Sequence, residues 1–218
     1  QALRDKTWSF DDLMANVSPF FVPTLETNSK THDTDWDTVI ELAVYHGIMP
    51  LLYRTLRSTA ETHTVPPAVM SRLRLLYLAH AAASEYQVTQ LLEIVGCLAA
   101  GGVDCINVKG PGLARQAFGD TALRRSNDLD ILCRFDDLAR AHDVLMSMGF
   151  RPGMGGPAKP HDPRSRQRIY HRKSILLEVH WGIPWNREPY PDLTEDVWQH
   201  RTTISVGEGQ TSIPSPED

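Results

Sequence analysis

The change of hydrophobic periodicity near Gly102 is the feature of this 218-residue chain that most constrains its fold. Pro66 and Pro67 open a run of apolar residues at helical spacing, which no further proline or glycine interrupts until Gly96. At 1.5 Å per residue this pattern predicts a single helix roughly 50 Å long. After Gly102, short segments with alternating polarity predict strands separated by brief helices.

Together these patterns predict an α+β fold. Residues 1–101 form a helical N-terminal lobe with a long spine helix, and residues 102–218 form a small mixed β-sheet core flanked by helices. The terminal segment Ser215–Asp218 combines a serine cap, a first-turn proline and two acids, which is typical of a helix start. We therefore expect the C-terminal domain to be truncated.

Shorter elements are predicted on both sides of the spine helix. Thr34 or Asp35 caps the first of them, and Gly47 ends it. Residues 151–166 are rich in proline and glycine and are predicted to be a mobile loop. The other predicted elements are helices over Met49–Leu56, over Pro111–Phe118 and from Asp136 or Asp137, strands over Val103–Val108 and Asp128–Phe135, and a hairpin of Gln167–His171 with Ser174–Trp181.

Composition excludes several classes of partner. The net charge of −5 leaves no basic footprint for bulk nucleic-acid binding. No signal peptide, lipidation motif or apolar run of membrane length is visible. The three cysteines lack metal-ligand spacing, and their odd number argues against a disulfide framework. We therefore expect a cytoplasmic protein with reduced thiols and no membrane partner.

Two aspartates at alternate positions of a predicted strand are the first candidate site. Asp128 and Asp130 point to the same face, because side chains alternate along a strand. Two carboxylates so close together are costly unless a cation lies between them, and Mg²⁺ prefers such oxygen ligands. Arg124 and Arg125, just upstream, can meet an anion carried by the metal. The combination indicates chemistry on a phosphate.

Two further motifs support this interpretation. Glu178 and His180 share one face of an otherwise apolar strand, where a glutamate is costly unless it is paired or metal-bound. Lys109-Gly110 ends a strand and opens a helix, a place where backbone N–H groups and a lysine hold phosphates.

Each motif also has a plain structural interpretation. The aspartates are compatible with a solvated turn, Lys109-Gly110 with a simple strand end, and Glu178 with a pairing to Arg168 or Arg172. We interpret His180 as a supporting residue rather than a metal ligand. The joint occurrence of the motifs on successive predicted strands favours the functional interpretation.

The ordered motifs resemble those of the uncharacterised bacterial nucleotidyltransferase-like family of the polymerase-beta-type superfamily. The resemblance covers most of the chain, including the helical part. The motifs that carry it are Val108-Lys109-Gly110-Pro111-Gly112-Leu113-Ala114, Leu123-Arg124 before Asp128-Leu129-Asp130-Ile131-Leu132, Gly149-Phe150, and Leu177-Glu178-Val179-His180-Trp181.

This resemblance implies a metal-dependent site. Asp128, Asp130 and Glu178 match the three acids that bind two Mg²⁺ ions in the superfamily, with Mn²⁺ as an alternative ion. Lys109 replaces the usual glycine of a Gly-Ser pair and Gly110 its serine, which removes a hydroxyl from the phosphate-binding turn. The implied nucleotide-binding residues are Lys109, Gly110, Arg124, Arg125 and His180.

The implied reaction is transfer of a nucleoside monophosphate from ATP or another NTP to an unidentified acceptor hydroxyl or phosphate. Two other functions stay open on the residues alone. One is a non-catalytic nucleotide sensor or partner-binding protein on the same fold. The other is a sugar-nucleotide glycosyltransferase, which also uses Asp-x-Asp, although the third acid and the short sheet fit it poorly.

Overall fold

The computed structural model describes residues 34–58, 65–124, 126–153, 166–182 and 194–216. The chain divides into two units, residues 1–38 and 39–218. The boundary falls within the first helix given below, and all later elements belong to the second unit. None of the described helices combines the length and apolar character that crossing a membrane requires.

The described residues form six α-helices and seven strands, in an order that confirms the predicted α+β class. The helices are α1 (Trp36–Tyr45), α2 (Met49–Ser58), α3 (Pro67–Ala100), α4 (Pro111–Phe118), α5 (Leu138–Ser147) and α6 (Thr194–His200). The strands are β1 (Cys105–Asn107), β2 (Leu129–Cys133), β3 (Arg151–Pro152), β4 (Gln167–Arg172), β5 (Ile175–His180), β6 (Thr202–Val206) and β7 (Gly209–Ile213).

Local sequence signals account for the helix boundaries. Asp35 caps α1, since its side chain accepts hydrogen bonds from the backbone N–H and the hydroxyl of Thr38. Gly47 follows with a φ of 71°, which an L side chain rarely adopts. The spine helix α3 starts at Pro67, where a missing N–H costs nothing, and runs for 34 residues. These predictions are confirmed.

The main sheet has five strands in the order β1-β2-β5-β4-β3. Strand β2 runs parallel to β5, and the other neighbours are antiparallel, so the sheet is mixed as predicted. A separate hairpin of β6 and β7 follows α6. Neither α6 nor this hairpin was predicted from the sequence.

Helices α3 and α5 cover one face of the sheet and form the main core. The buried residues there include Leu91, Ile131, Leu145 and Leu177. Arg172 at the end of β4 donates to Gln90 and Glu93 of α3 at 2.8 and 2.7 Å, which ties the β4–β5 hairpin to the spine helix.

Helix α6 covers part of the opposite face. Val197 and Trp198 pack there against Ile106 of β1 and Leu132 of β2. The rest of that face carries the polar side chains of β2 and β5, so the candidate site lies beside the apolar contact made by α6.

Several boundaries differ from the predicted ones. β1 is shorter than the predicted strand over Val103–Val108, and Arg151–Pro152 of the predicted loop pairs with β4 as a short strand. Residues 154–165 of that loop, Arg125 and the last two residues of the chain lie outside the described residues. The division into domains at residue 101 and the C-terminal truncation stay predictions.

Candidate active site

The parallel pairing of β2 with β5 brings the acidic residues of two distant segments together. Asp130 is the register partner of Glu178, so both side chains project from the same face of the sheet. His180 follows two residues later on that face. One potential ligand atom from each of these three residues lies within 4.8 Å of the others. Among the described residues, Asp130, Glu178 and His180 are thus the group that could hold a metal ion.

Asp130 is the hub of the group. Its side chain is fully buried, and its Oδ1 lies 3.0 Å from the Lys109 Nζ and 3.0 Å from the His180 Nε2. The His180 Nε2 also lies 3.5 Å from Oε2 of Glu178. Oδ2 of Asp130 is buried and has no hydrogen-bond partner among the described residues. One carboxylate oxygen is therefore held by two donors, while the other is buried without a hydrogen-bond partner among the described residues, which is unfavourable unless a cation binds it.

The pKa values of Asp130 and Glu178 are shifted in opposite directions. Burial acts to raise the pKa of Asp130, but hydrogen bonds from His180 and Lys109 and the charge of Lys109 outweigh it, so this pKa lies below its ordinary value. Burial raises the pKa of Glu178, and the negative charge of Asp130 raises it further. Asp130 is thus held ionised, and Glu178 is the more basic of the two carboxylates.

The Lys109-Gly110 turn approaches β2 closely. Gly110 has a φ of 66°, and a Cβ there would lie 3.4 Å from Oγ of Ser126 and 3.5 Å from the carbonyl oxygen of Asp128. Glycine is therefore favoured by its conformation, since a φ of 66° strains an L side chain, while a Cβ would make only ordinary van der Waals contacts. The lysine of this turn faces the carboxylate of Asp130 directly.

The start of α4 offers fewer free backbone donors than the sequence suggested. Pro111 has no N–H, and the N–H of Gly112 donates to Oδ1 of Asn107 at 2.9 Å. The nucleotide-binding role predicted for this turn would therefore depend chiefly on the ammonium group of Lys109.

Asp128 lies just outside the group of three. Strand β2 begins one residue after it, at Leu129, so Asp128 is not inside the strand as predicted. Its side chain is half-buried, and its negative charge contributes to the raised pKa of Glu178. The structure thus brings two of the three predicted metal ligands together and leaves the third beside them.

The segment before β2 is anchored to the spine helix. Ser84 donates to the carbonyl of Thr121 at 2.9 Å, and Gln87 donates to the carbonyl of Ser126 at 3.1 Å. Arg124 lies half-buried between these two anchors. Helix α3 therefore places the segment that carries the predicted phosphate-binding arginine.

The alternative pairing of Glu178 with Arg168 or Arg172 is wrong. Arg172 binds Glu93, and Arg168 lies opposite Val179, on the face that packs against α3 and α5. His180, which was interpreted as a supporting residue, contacts both carboxylates.

Asn107 is the residue of the site that the sequence analysis missed. It is fully buried, its Nδ2 donates to the carbonyl of Asp130 at 2.9 Å, and its Oδ1 accepts from Gly112. The available signal was an asparagine inside an apolar strand, which is costly unless both ends of the amide are bonded.

Comparison with known proteins agrees with the motifs. A protein family described as uncharacterised nucleotidyltransferase matches residues 32–218. No curated protein sequence matches.

Solved structures of ANT(2")-Ia are also similar. One is a crystal structure in complex with adenylyl-2"-tobramycin, with 13% identity, a TM-score of 0.43, and coverage of 60% of this chain and 70% of that one. The other is a solution structure of the antibiotic-resistance factor, with 15% identity, a TM-score of 0.42, and coverage of 61% and 66%.

Proposed function

Because the chain belongs to the uncharacterised nucleotidyltransferase family, we propose that it moves a nucleoside monophosphate from an NTP to an acceptor hydroxyl or phosphate. The observation that carries this proposal is the convergence of Asp130 and Glu178 on one sheet face, with Oδ2 of Asp130 buried and unbonded among the described residues.

The residues present fit a divalent cation. The two carboxylates lie side by side, and the negative charge of Asp130 makes the ionised state of Glu178 costlier, which a cation would relieve. The unbonded Oδ2 of Asp130 and the carboxylate of Glu178 would hold the ion, with Asp128 as a third candidate ligand. Oxygen ligands of this kind suit Mg²⁺, and Mn²⁺ as the alternative. Such an ion would polarise the phosphoryl oxygens and stabilise the charge of the leaving pyrophosphate.

The side chains of this chain supply the other parts of the reaction. Lys109, whose side chain is 32% exposed, neutralises phosphate charge at the mouth of the site. His180 holds Asp130 in one orientation through Oδ1. Glu178 lies beside Asp130 on the same face and would take the proton of an acceptor hydroxyl through the carboxylate oxygen that does not hold the ion. Arg124 would add a further positive charge beside the phosphates.

A cytoplasmic location for this reaction is part of the proposal, and it is supported by the three cysteines of the sequence, whose odd number argues against a disulfide framework. The partners of the site would be an NTP and an acceptor.

The test is a calorimetric titration of NTPs and of sugar nucleotides, with and without Mg²⁺. We expect NTP binding that depends on Mg²⁺, that is lost in Asp130→Asn and Glu178→Gln, and that is weakened in Asp128→Asn. Asp104→Asn removes an exposed acid of the same domain outside the site and serves as the matched control.

Other results would point elsewhere. Preferential binding of sugar nucleotides would favour a glycosyltransferase. NTP binding that ignores both the metal and the Asp130→Asn change would favour a sensor, and either result would refute the proposed transfer reaction.

A further inference from the structure

We propose that Asn107 is a positioning residue that holds Asp130 and the Lys109-Gly110 turn in fixed relation, an inference that rests on the proposed function. The side-chain hydrogen bonds of Asn107 go neither to the carboxylate of Asp130 nor to the ammonium of Lys109. It acts on the backbone that carries each of them.

One end of the Asn107 amide holds the strand. Nδ2 donates to the carbonyl of Asp130 at 2.9 Å, and the same carbonyl accepts from the backbone N–H of Val108 at 3.1 Å. The backbone of Asp130 therefore has two donors from β1 and its exit, one from the main chain and one from a side chain. A second donor restrains the carbonyl more tightly than the ladder bond alone.

The other end of the amide holds the helix. Oδ1 accepts from the N–H of Gly112, in the first turn of α4, at 2.9 Å. This bond closes a ring that runs from Asn107 through Lys109 and Gly110 to Gly112. The lysine is therefore carried by a segment whose two ends are joined by one buried side chain.

The amide group of Asn107 is closely packed between Gly112 and its other neighbours. A Cβ at Gly112 would lie 2.2 Å from Oδ1 of Asn107 and 2.8 Å from Cγ2 of Ile213. The side chain of Asn107 is fully buried, and both of its polar ends are bonded. Glycine at position 112 thus leaves the space that the side chain of Asn107 occupies.

This arrangement matters for a site that must bind two opposite charges at once. Asp130 would hold a cation, and Lys109 would hold the phosphates that accompany it. Their side chains already meet at 3.0 Å. A shift of one backbone relative to the other would leave each group able to bind its own ligand, but it would misplace the pair for a metal-bound triphosphate.

The test compares Asn107→Leu with the unaltered protein by calorimetric titration of Mn²⁺ alone and of Mn–ATP. Leucine has the same branched heavy-atom skeleton, although its methyl groups are bulkier than the amide, and it forms neither bond. Thr211→Val, which alters a buried polar side chain of β7, is the matched control for lost stability. All titrations are made well below the lowest melting temperature of the set.

We expect Asn107→Leu to weaken Mn–ATP binding by about tenfold or more, as removal of supporting residues of metal sites does, and to weaken binding of Mn²⁺ alone by clearly less. Thr211→Val should leave both affinities unchanged. A purely structural role of Asn107 would lower the melting temperature and leave both affinities as they are in the unaltered protein.

If Asn107→Leu does not fold, the unaltered protein decides the matter by NMR. The side-chain amide protons of Asn107 and the N–H of Gly112 should exchange slowly with solvent, and both signals should shift on addition of Mg²⁺–ATP. Fast exchange, or signals that do not move while Mg²⁺–ATP binds, would overturn the inference.

The positioning role and the proposed function fail differently. An unaltered protein that binds neither Mn²⁺ nor Mn–ATP refutes the proposed function, and the positioning role falls with it. An unaltered protein that binds both, together with a folded Asn107→Leu variant of equal affinities, refutes the positioning role alone.

Discussion

Replacement of Lys109 by methionine removes the cation that faces a fully buried carboxylate. Lys109 Nζ lies 3.0 Å from Oδ1 of Asp130, and the two side chains are 32% and 0% exposed. Methionine keeps the length and apolar stem of the side chain, so the main change is the loss of one positive charge. The variant should therefore fold to the same structure with a lower free energy of unfolding.

The expected magnitude follows from the surroundings of Asp130. Removing one partner of a fully buried ion pair costs about 3–5 kcal/mol. Lys109 is partly exposed, so water screens part of the interaction, and His180 Nε2 stays 3.0 Å from the same oxygen. We therefore expect Lys109→Met to lower the free energy of unfolding by about 1–2 kcal/mol near neutral pH.

This loss should depend on pH in a defined direction. The pKa of Asp130 in the folded protein lies below its ordinary value of 3.8, so its stabilisation is present above that value and is lost as the pH falls through the folded pKa. Without Lys109, burial is opposed by His180 alone, and the pKa of Asp130 rises. Below both values the carboxyl is protonated in each protein, and the difference between them should shrink toward zero.

The measurement is urea denaturation of both proteins with a metal chelator present, from neutral pH to below about pH 4. Asp137→Asn is the control, because it removes one partner of the partly exposed Arg140–Asp137 pair and should change stability by less than about 0.5 kcal/mol. A Lys109→Met effect as small as that of the control, or one that stays constant across the pH range, would refute the reasoning.

Three further predictions concern other parts of the structure. Glu178→Gln should leave the metal-free protein equally stable or more stable by up to about 1 kcal/mol, because burial and the charge of Asp130 raise the pKa of Glu178 and make its ionised form unfavourable above that pKa. Thermal melts in chelator and in Mn²⁺ check this, and a clear destabilisation in chelator would contradict it. Gly112→Ala should lower the free energy of unfolding by at least ~2 kcal/mol, because its Cβ would lie 2.2 Å from Oδ1 of Asn107. Gly119→Ala, at a φ of 69° with open space around it, should lower it by ~1 kcal/mol. Equal losses of stability in urea denaturation would show that the structure accommodates a Cβ at Gly112 without a clash. Burial raises the pKa of Cys105 to about 12 and also raises the pKa of Cys133. Both thiols should therefore resist alkylation at neutral pH until the protein unfolds. Rapid alkylation of either cysteine in the native protein, detected by mass spectrometry, would contradict this.

Much of the fold could be predicted because its signals are local. The apolar periodicity over α3, the proline at the start of α4, and the alternation in β4 and β5 each reflect a geometry set within a few residues. The same alternation is enough to predict that Glu178 and His180 share one face of their strand. The family resemblance was confirmed for residues 32–218.

Elements with weak local signals were missed. Helix α6 has only seven residues, and the strands of the β6–β7 hairpin are largely polar. Their positions depend on contacts such as those of Trp198 with β1 and β2, which are distant in the chain. Propensity is a weak guide where tertiary packing decides.

The sequence by itself determined the inventory of the site, and the tertiary structure decided its arrangement. Acid, lysine and histidine were all recognisable as residue types suited to phosphate chemistry. The parallel pairing of β2 with β5, which puts Asp130 opposite Glu178, joins segments almost fifty residues apart. The role proposed for Asn107 depends on its bonds to Asp130 and Gly112, which only the folded structure shows. Periodicity reports which face a side chain takes on its own element, but strand order and register depend on how all the elements bury their apolar surfaces together.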